Sequence, residues 1–215
     1  MSRNKYPEET YELIVEVSTK LFIQKGYDNT SLKDIIDNLG GLTKGAIYHH
    51  FKSKEDILIA VVNNLCSNNG SSMMKIRNEK NLSGKQKLEK MFLVSLNNPK
   101  QEKLFSFVPN LLDNPTFLAY YLKFLFKETI PVYIVPVIKE GVEDGSIHTD
   151  YPEELASILM FITDIWLNPL IVKMSNDEII RKANLANDIL KPFGIKIFNE
   201  QLFDRLSTYN NILIK

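Results

Sequence analysis

Cysteine is almost absent: Cys66 stands alone in a chain of 215 residues. A single thiol cannot close a disulfide within the chain, and it cannot build a Cys₂ or Cys₄ zinc site. It reads as a reduced, partly buried thiol of a reducing compartment. Net charge is also absent, with 26 Lys and Arg against 26 Asp and Glu. That excludes nucleic-acid affinity by overall charge alone, so any electropositive surface has to be local. The N-terminal run MSRNKYPEETYE has no apolar core of the secretory kind, and no signal segment is expected there. The apolar stretches 117–138 and 155–172 are broken by Lys123, Lys127, Glu128 and Pro131 and by Asp164 and Pro169, so neither reads as a membrane span. A cytoplasmic protein without membrane association is expected. No sustained period-two alternation, internal repeat or low-complexity tract is visible. Nor is there a nucleophile–base pair, phosphate loop or metal constellation, so neither an enzyme nor a bound cofactor is expected.

What is present is helical periodicity in a chain that is 44% apolar, enough for a packed core. Pro7 and two acids open a first helix carrying Leu13, Ile14, Val17, Leu21 and Phe22, and Gly26 closes it. Ser31 with Asp34, Ser53 with Asp56 and Ser175 with Glu178 are capping-box pairs that start helices at 31, 54 and 176. The helix from 54 is expected to end near NNGSS at 68–72, followed by a loop to about 83. Further helices are expected at 83–97, 101–112, 115–144, 152–173, 176–191 and 199–213, with a break or bend where Pro131 and Pro136 interrupt the long one. The fold class is all-α.

The short helices over 31–39 and 43–51, joined by a turn at Gly40-Gly41-Leu42, suggest a helix-turn-helix. In that motif the second helix enters the DNA major groove. A wheel of about 100° per residue centred on a buried Ile47 puts Thr43, Lys44, His50 and Phe51 on the inner side. Gly45 and His49 then point outward, flanked by Ala46 and Tyr48. A glycine inside a helix costs about 1 kcal/mol against alanine, which makes sense where a backbone must approach another surface closely. Tyr48 and His49 suit phosphates and base edges, and Lys52 and Lys54 extend the positive charge. The adjacent histidines lack the i, i+4 spacing of a helical metal site, so no metal is expected. A surface helix whose Tyr and His residues merely pack is the alternative.

The segment TSLKDIIDNLGGLTKGAIYHHFKSKEDIL resembles the DNA-binding signature of the tetracycline-repressor (TetR) family of bacterial regulators. The likeness covers roughly residues 10–60. It implies an N-terminal three-helix DNA-binding domain over 1–53 and a larger helical effector-binding and dimerisation domain over 54–215. It implies that Lys44 and Gly45 read bases, that Thr43, Tyr48, His50 and Lys54 hold phosphates, and that His49 does either. Thr30, Ser31 and Lys33 would meet the DNA backbone. Two departures from the family pattern stand out: the turn has one residue more than usual, and Ile36 replaces the usual alanine.

The rest of the chain matches that family only in length and helical character. The resemblance implies a pocket and a homodimer there. An apolar or aromatic effector would be lined by Phe105, Phe117, Tyr120, Tyr121, Phe124, Tyr133, Phe161 and Trp166, although an aromatic stripe is more often core. Glu128 and Glu140 are possible polar contacts. Leu155, Ile158, Ile162 and Ile165 on one helix, with Ile179, Ala183, Ala186 and Leu190 on the next, could form an intersubunit four-helix bundle or pack within the chain. The expected function is a sequence-specific repressor of double-stranded operator DNA, released by a small ligand. An activator or co-regulator answering to a protein partner, and an all-α enzyme or carrier, are the other readings.

Overall fold

The computed structural model describes residues 7–97, 106–108 and 110–213, without the side chains of residues 7, 65–69, 201, 209, 212 and 213. Cys66 and Phe105 therefore lie outside the described side chains, and half of the helix expected at 101–112 lies outside the described residues. Those that are described form helices and no strand.

Local signals in the sequence set the first three helices. Glu8 and Glu9 lie in the first turn of α1 (Pro7–Lys25), where carboxylates favour the helix dipole. Gly26 stops it in a left-handed conformation at φ 81°, its N–H bonded to the Phe22 carbonyl. α2 (Leu32–Asp37) opens on Ser31, whose hydroxyl accepts from the Asp34 N–H while the Asp34 carboxylate accepts from the Ser31 N–H. α3 (Lys44–His50) opens on Thr43. Between α2 and α3, Gly40 and Gly41 both have positive φ, 62° and 99°. Two successive positions of that kind require glycine, which accounts for the doubled residue in the turn. Ile14, Phe22, Ile35, Leu39, Ile47 and Phe51 close a first core, against which Ile36 and Leu42 pack.

α4 (Lys54–Arg77) is longer than the sequence suggests. It runs through NNGSS because packing overrides the weak propensity of those residues. Gly70 is there for space: a Cβ would lie 3.0 Å from the Tyr133 hydroxyl. Beyond it, Ile76 is buried, Met73 packs on the second core, and the Arg77 guanidinium donates to the Val132 carbonyl at 2.8 Å. The first half of α4 gives Ile57, Leu58 and Val61 to the first core. The expected division at residue 53 thus falls at the start of a helix that both cores share.

The second core is built by α5 (Gly84–Leu96), α6 (Pro115–Phe124), α7 (Val135–Glu143), α8 (Pro152–Phe161), α9 (Asn176–Leu190) and α10 (Glu200–Leu213). Between α6 and α7 the helical path does not break at Pro131. It widens over Leu125–Ile134 into i→i+5 bonding, as in Val135 N–H to Ile130 carbonyl. The extra residue per turn accommodates a proline that offers no N–H. A second wide turn, Ile162–Trp166, ends α8, with Leu167 N–H bonded to the Ile162 carbonyl at 3.0 Å.

α5 crosses α7 at two glycines. A Cβ on Gly84 would sit 2.2 Å from the Gly141 nitrogen and 2.5 Å from the Val137 carbonyl oxygen, all of it backbone that cannot swing aside. The crossing is fixed by Lys87, whose buried side chain pairs with Glu140 at 2.5 and 2.7 Å, and by the Gly84 N–H on the Asp144 carboxylate at 2.7 Å. Glu140 is thus a structural partner rather than a pocket contact, and Glu128 is exposed. Gly84→Ala is expected to cost about 3 kcal/mol or more, at or above the upper end of ordinary overpacking. Urea unfolding measures it; a loss below about 0.5 kcal/mol would show that the crossing can separate freely.

Candidate DNA-binding surface

α3 is held by one anchor. Ile47 is 1% exposed and Phe51, its C-cap, is buried beside it, with Tyr11 stacked on Phe51 at 5.0 Å. Around that anchor the helix turns Thr43, Lys44, Gly45, Tyr48 and His49 to solvent. The Lys44 ammonium lies 5.6 Å from the Tyr48 ring centroid, so the two side chains share one patch. Gly45 has open space: the nearest non-helical atom to a Cβ would be the Thr43 hydroxyl, at 3.7 Å. No contact within the protein demands this glycine. Ser31 and Lys33 at the start of α2 are exposed as well, as is Lys52.

The patch is locally positive. No acid occurs from Leu39 to Lys54. Two of the flanking carboxylates are engaged within the protein. Asp56 accepts from the Lys52 N–H at 3.0 Å. Asp34 takes the Ser31 hydroxyl and the Lys25 ammonium, which together hold its pKa far below the usual carboxylate range.

The structure turns three of the expected contacts toward the protein itself. Thr30 is 1% exposed, and its hydroxyl donates to the Gly26 carbonyl at 2.8 Å. Lys54 caps the carbonyls of Tyr27 and Thr30, both at 3.0 Å, with its ammonium 4.0 Å from the Tyr27 ring centroid. It pins the loop after α1 to the start of α4, so two of its three ammonium hydrogens are directed at the protein's own backbone. Tyr27 meanwhile donates to Glu55 at 3.1 Å, and burial together with that carboxylate pushes its pKa upward, so it stays a neutral donor. His50 packs edge-on against Tyr11, its Nε2 buried without a partner. Burial and the neighbouring His49 lower its pKa, so His50 is neutral near pH 7 and adds no charge for a phosphate. Spacing alone put His50 on the inner side of its helix but did not separate Thr30 and Lys54 from their exposed neighbours.

Residues 14–61 match the family model described as bacterial regulatory proteins, tetR family. The chain is 40% identical over 78 residues to the uncharacterized HTH-type transcriptional regulator YerO of Bacillus subtilis, covering 36% of this chain and 26% of that protein. It is 27% identical over 162 residues to the HTH-type transcriptional repressor KstR2 of Mycolicibacterium smegmatis, covering 74% of this chain and 76% of that one. A TetR-family regulator of Pectobacterium atrosepticum has the same fold, with a TM-score of 0.63 at 19% identity over 92% of this chain and all of that one. Residues 14–61 are thus similar to the N-terminal segment of TetR-family regulators, and the whole chain shares their fold. The match to relatives such as YerO spans about a quarter of their length.

Behind the α1–α3 head, the chain has a cavity of about 230 Å³ in its second core. Of the aromatics expected at a pocket, Tyr121, Phe124 and Tyr133 line it. Phe117 is buried in the first core, and Tyr120 is stacked between Phe117 and Phe124. Phe161 is 55% exposed, and Trp166 lies beneath the Lys182 ammonium. The remaining walls come from α4 (Gly70, Met73), α5 (Met91, Phe92, Ser95), the wide turn of the long helix (Thr129, Ile134), and Met160 with Asp164. Asp164 is the polar feature that sequence reasoning passed over. Its only signal was an acid inside the apolar run MFITDIW.

The faces expected at a dimer interface divide in two. Leu155, Ile162, Ile179, Ala183, Ala186 and Leu190 are buried within the protomer's own core, and Ile165 is packed on it, so none of them is presented to a partner. Ile158 alone of that set is exposed, at 52%. The apolar side chains left uncovered are Ile158 and Phe161 on α8 and Ile180, Leu185 and Ile189 on α9.

The lowered pKa of His50 has a measurable consequence. The unfolded state binds its proton at a higher pH than the folded state does. Stability is therefore lost as pH falls from about 6.5, the unperturbed histidine value, toward the lower folded value. NMR titration should place His50 below free histidine, and His50→Gln should flatten that part of the stability–pH curve. A titration at or above the free value would contradict the packing described.

Proposed function

We propose that the protein is a homodimeric repressor that binds operator DNA through α3 and releases it when a small molecule occupies the cavity beside α4. The observation that carries the DNA-binding part is the exposed, acid-free face of α3, with a glycine at its centre that nothing inside the protein requires. Lys44 and the Gly45 backbone would meet base edges in the major groove. Thr43 and Tyr48 would meet phosphates, His49 either, and Ser31 and Lys33 the flanking backbone. Thr30, His50 and Lys54 would act one step back, by fixing the loop and helix that carry these groups.

Dimerisation is supported by the uncovered apolar residues of α8 and α9, a kind of surface that isolated proteins seldom leave contiguous to water. Two heads on a dimer would meet half-sites about 34–36 Å apart. Release follows if the ligand favours an arrangement in which that spacing is lost. α4 supports this reading, because Gly70 and Met73 line the cavity while Lys54 and Ile57 hold the head. The repressor sign leans on the likeness to KstR2. Acting on DNA in this way would put the protein in the cytoplasm.

A binding site selected from a pool of random duplexes provides the test. Gly45→Ala should leave the fold intact, with stability unchanged or higher by up to about 1 kcal/mol, yet weaken binding to the selected site. Lys44→Ala should weaken it by about 1–3 kcal/mol and relax the preferred sequence. Selection that yields no enriched sequence, or two variants that bind as the wild type does, would refute the assignment.

A further inference from the structure

The cavity has an uncompensated acid. Asp164 sits in the wide turn Ile162–Trp166, where its carboxylate borders both the 230 Å³ cavity and a smaller one of about 80 Å³. One carboxylate oxygen accepts from the Tyr121 hydroxyl at 2.9 Å and the other from the Thr163 hydroxyl at 2.7 Å. The Asn168 amide donates to the Tyr121 oxygen at 3.4 Å, which leaves the phenol proton for Asp164. These are neutral donors, and no described cation pairs with Asp164. The salt bridges lie elsewhere. Lys182 is turned to the Trp166 carbonyl, the Met174 sulfur and the Trp166 ring. Burial of an unpaired carboxylate is costly, and it raises the pKa of this one.

The walls bear on which ligand would relieve that cost. Tyr121, Phe124 and Tyr133 offer aromatic rings, and Met73, Met91 and Met160 offer polarizable sulfur. Ring faces attract cations, and thioethers adapt to irregular apolar groups. Among the described residues no Lys, Arg or His lines the cavity, so an anionic ligand would meet Asp164 with no described group of opposite charge beside it. A purely apolar ligand would fill the space and leave the carboxylate without a counter-ion. The volume lies below the range of about 300–1,000 Å³ usual for ligand pockets, which points to a small molecule.

We infer that the effector is a small organic cation with an apolar or aromatic body, with the Asp164 carboxylate as its counter-ion and the Tyr121, Phe124 and Tyr133 rings beside it. This rests on the effector reading of the cavity and adds the ligand's charge to it. Tyr121 and Thr163 hold the carboxylate in place, and Asp164 supplies the discrimination between charged and neutral ligands.

The chain's one tryptophan, Trp166, lies two residues from Asp164 and serves as the reporter. The full-length protein is titrated with benzyltrimethylammonium, with its neutral isostere neopentylbenzene and with phenylacetate. Trp166 fluorescence and calorimetry are read in parallel. The cation should bind about tenfold or more tightly than the isostere, as a charge-assisted contact does, and phenylacetate weakest. Asp164→Asn keeps an acceptor for one hydroxyl and should erase the preference while still binding the isostere. If that variant fails to fold, the order of the three compounds on the wild type decides the matter. Neopentylbenzene binding as well as the cation would overturn the cationic assignment and leave the effector reading standing. If no compound of any charge binds, the effector reading falls, and the cation with it.

Discussion

Everything in this molecule depends on one helix remaining continuous. α4 begins under a lysine clamp, where Lys54 holds the Tyr27 and Thr30 carbonyls. It passes Ile57, Leu58 and Val61 into the first core and ends with Ile76 and Arg77 on the second. Its middle, rich in asparagine, serine and glycine, has little helical preference of its own. Packing at both ends holds it, together with the close seat of Gly70 against Tyr133. A rod whose two ends belong to different cores transmits displacement, because packed cores shift between discrete arrangements rather than deform smoothly. The cavity opens against this rod, and the head is fixed to its start.

The head shows how an exposed surface is supported by residues that lie beneath it. α3 has seven residues and too few contacts to stand alone. Ile47 and Phe51 anchor it, Tyr11 and His50 pack at its end, and the Gly40-Gly41 turn sets its start. With stability supplied from below, its outer face is free to carry a glycine, which weakens the helix but clears the way to its backbone.

The parts of this structure that were legible in the sequence are those written in short-range chemistry. Gly26, the Ser31–Asp34 box and the paired glycines mark helix ends within a few residues, so α1, α2 and α3 lie where the sequence places them. The outward positions of Gly45, Tyr48 and His49 were legible from one buried isoleucine, whereas Thr43 and Lys44, which the wheel put on the inner side, are exposed at the start of the helix. α4 was cut short because NNGSS looks like a loop locally, and only the distant Tyr133 and Val132 explain why it is not. The two faces of α9 were also beyond a wheel. Both the stripe of Ile179, Ala183, Ala186 and Leu190 and that of Ile180, Leu185 and Ile189 are apolar, and only the neighbouring helices determine which one is covered. Lys54 read as a phosphate ligand because the two carbonyls it caps come from more than twenty residues away in the chain.

The most direct test of α4 as the link between cavity and head is the operator affinity of Gly70→Leu. The substitution fills the α4 wall of the cavity and presses on Tyr133, far from every residue assigned to DNA. Fluorescence anisotropy on a selected duplex, with helical content checked by circular dichroism, gives the reading. A folded variant with affinity reduced about tenfold, within the usual range of coupling between sites, is the predicted result. A folded variant that binds as tightly as the wild type would contradict the account.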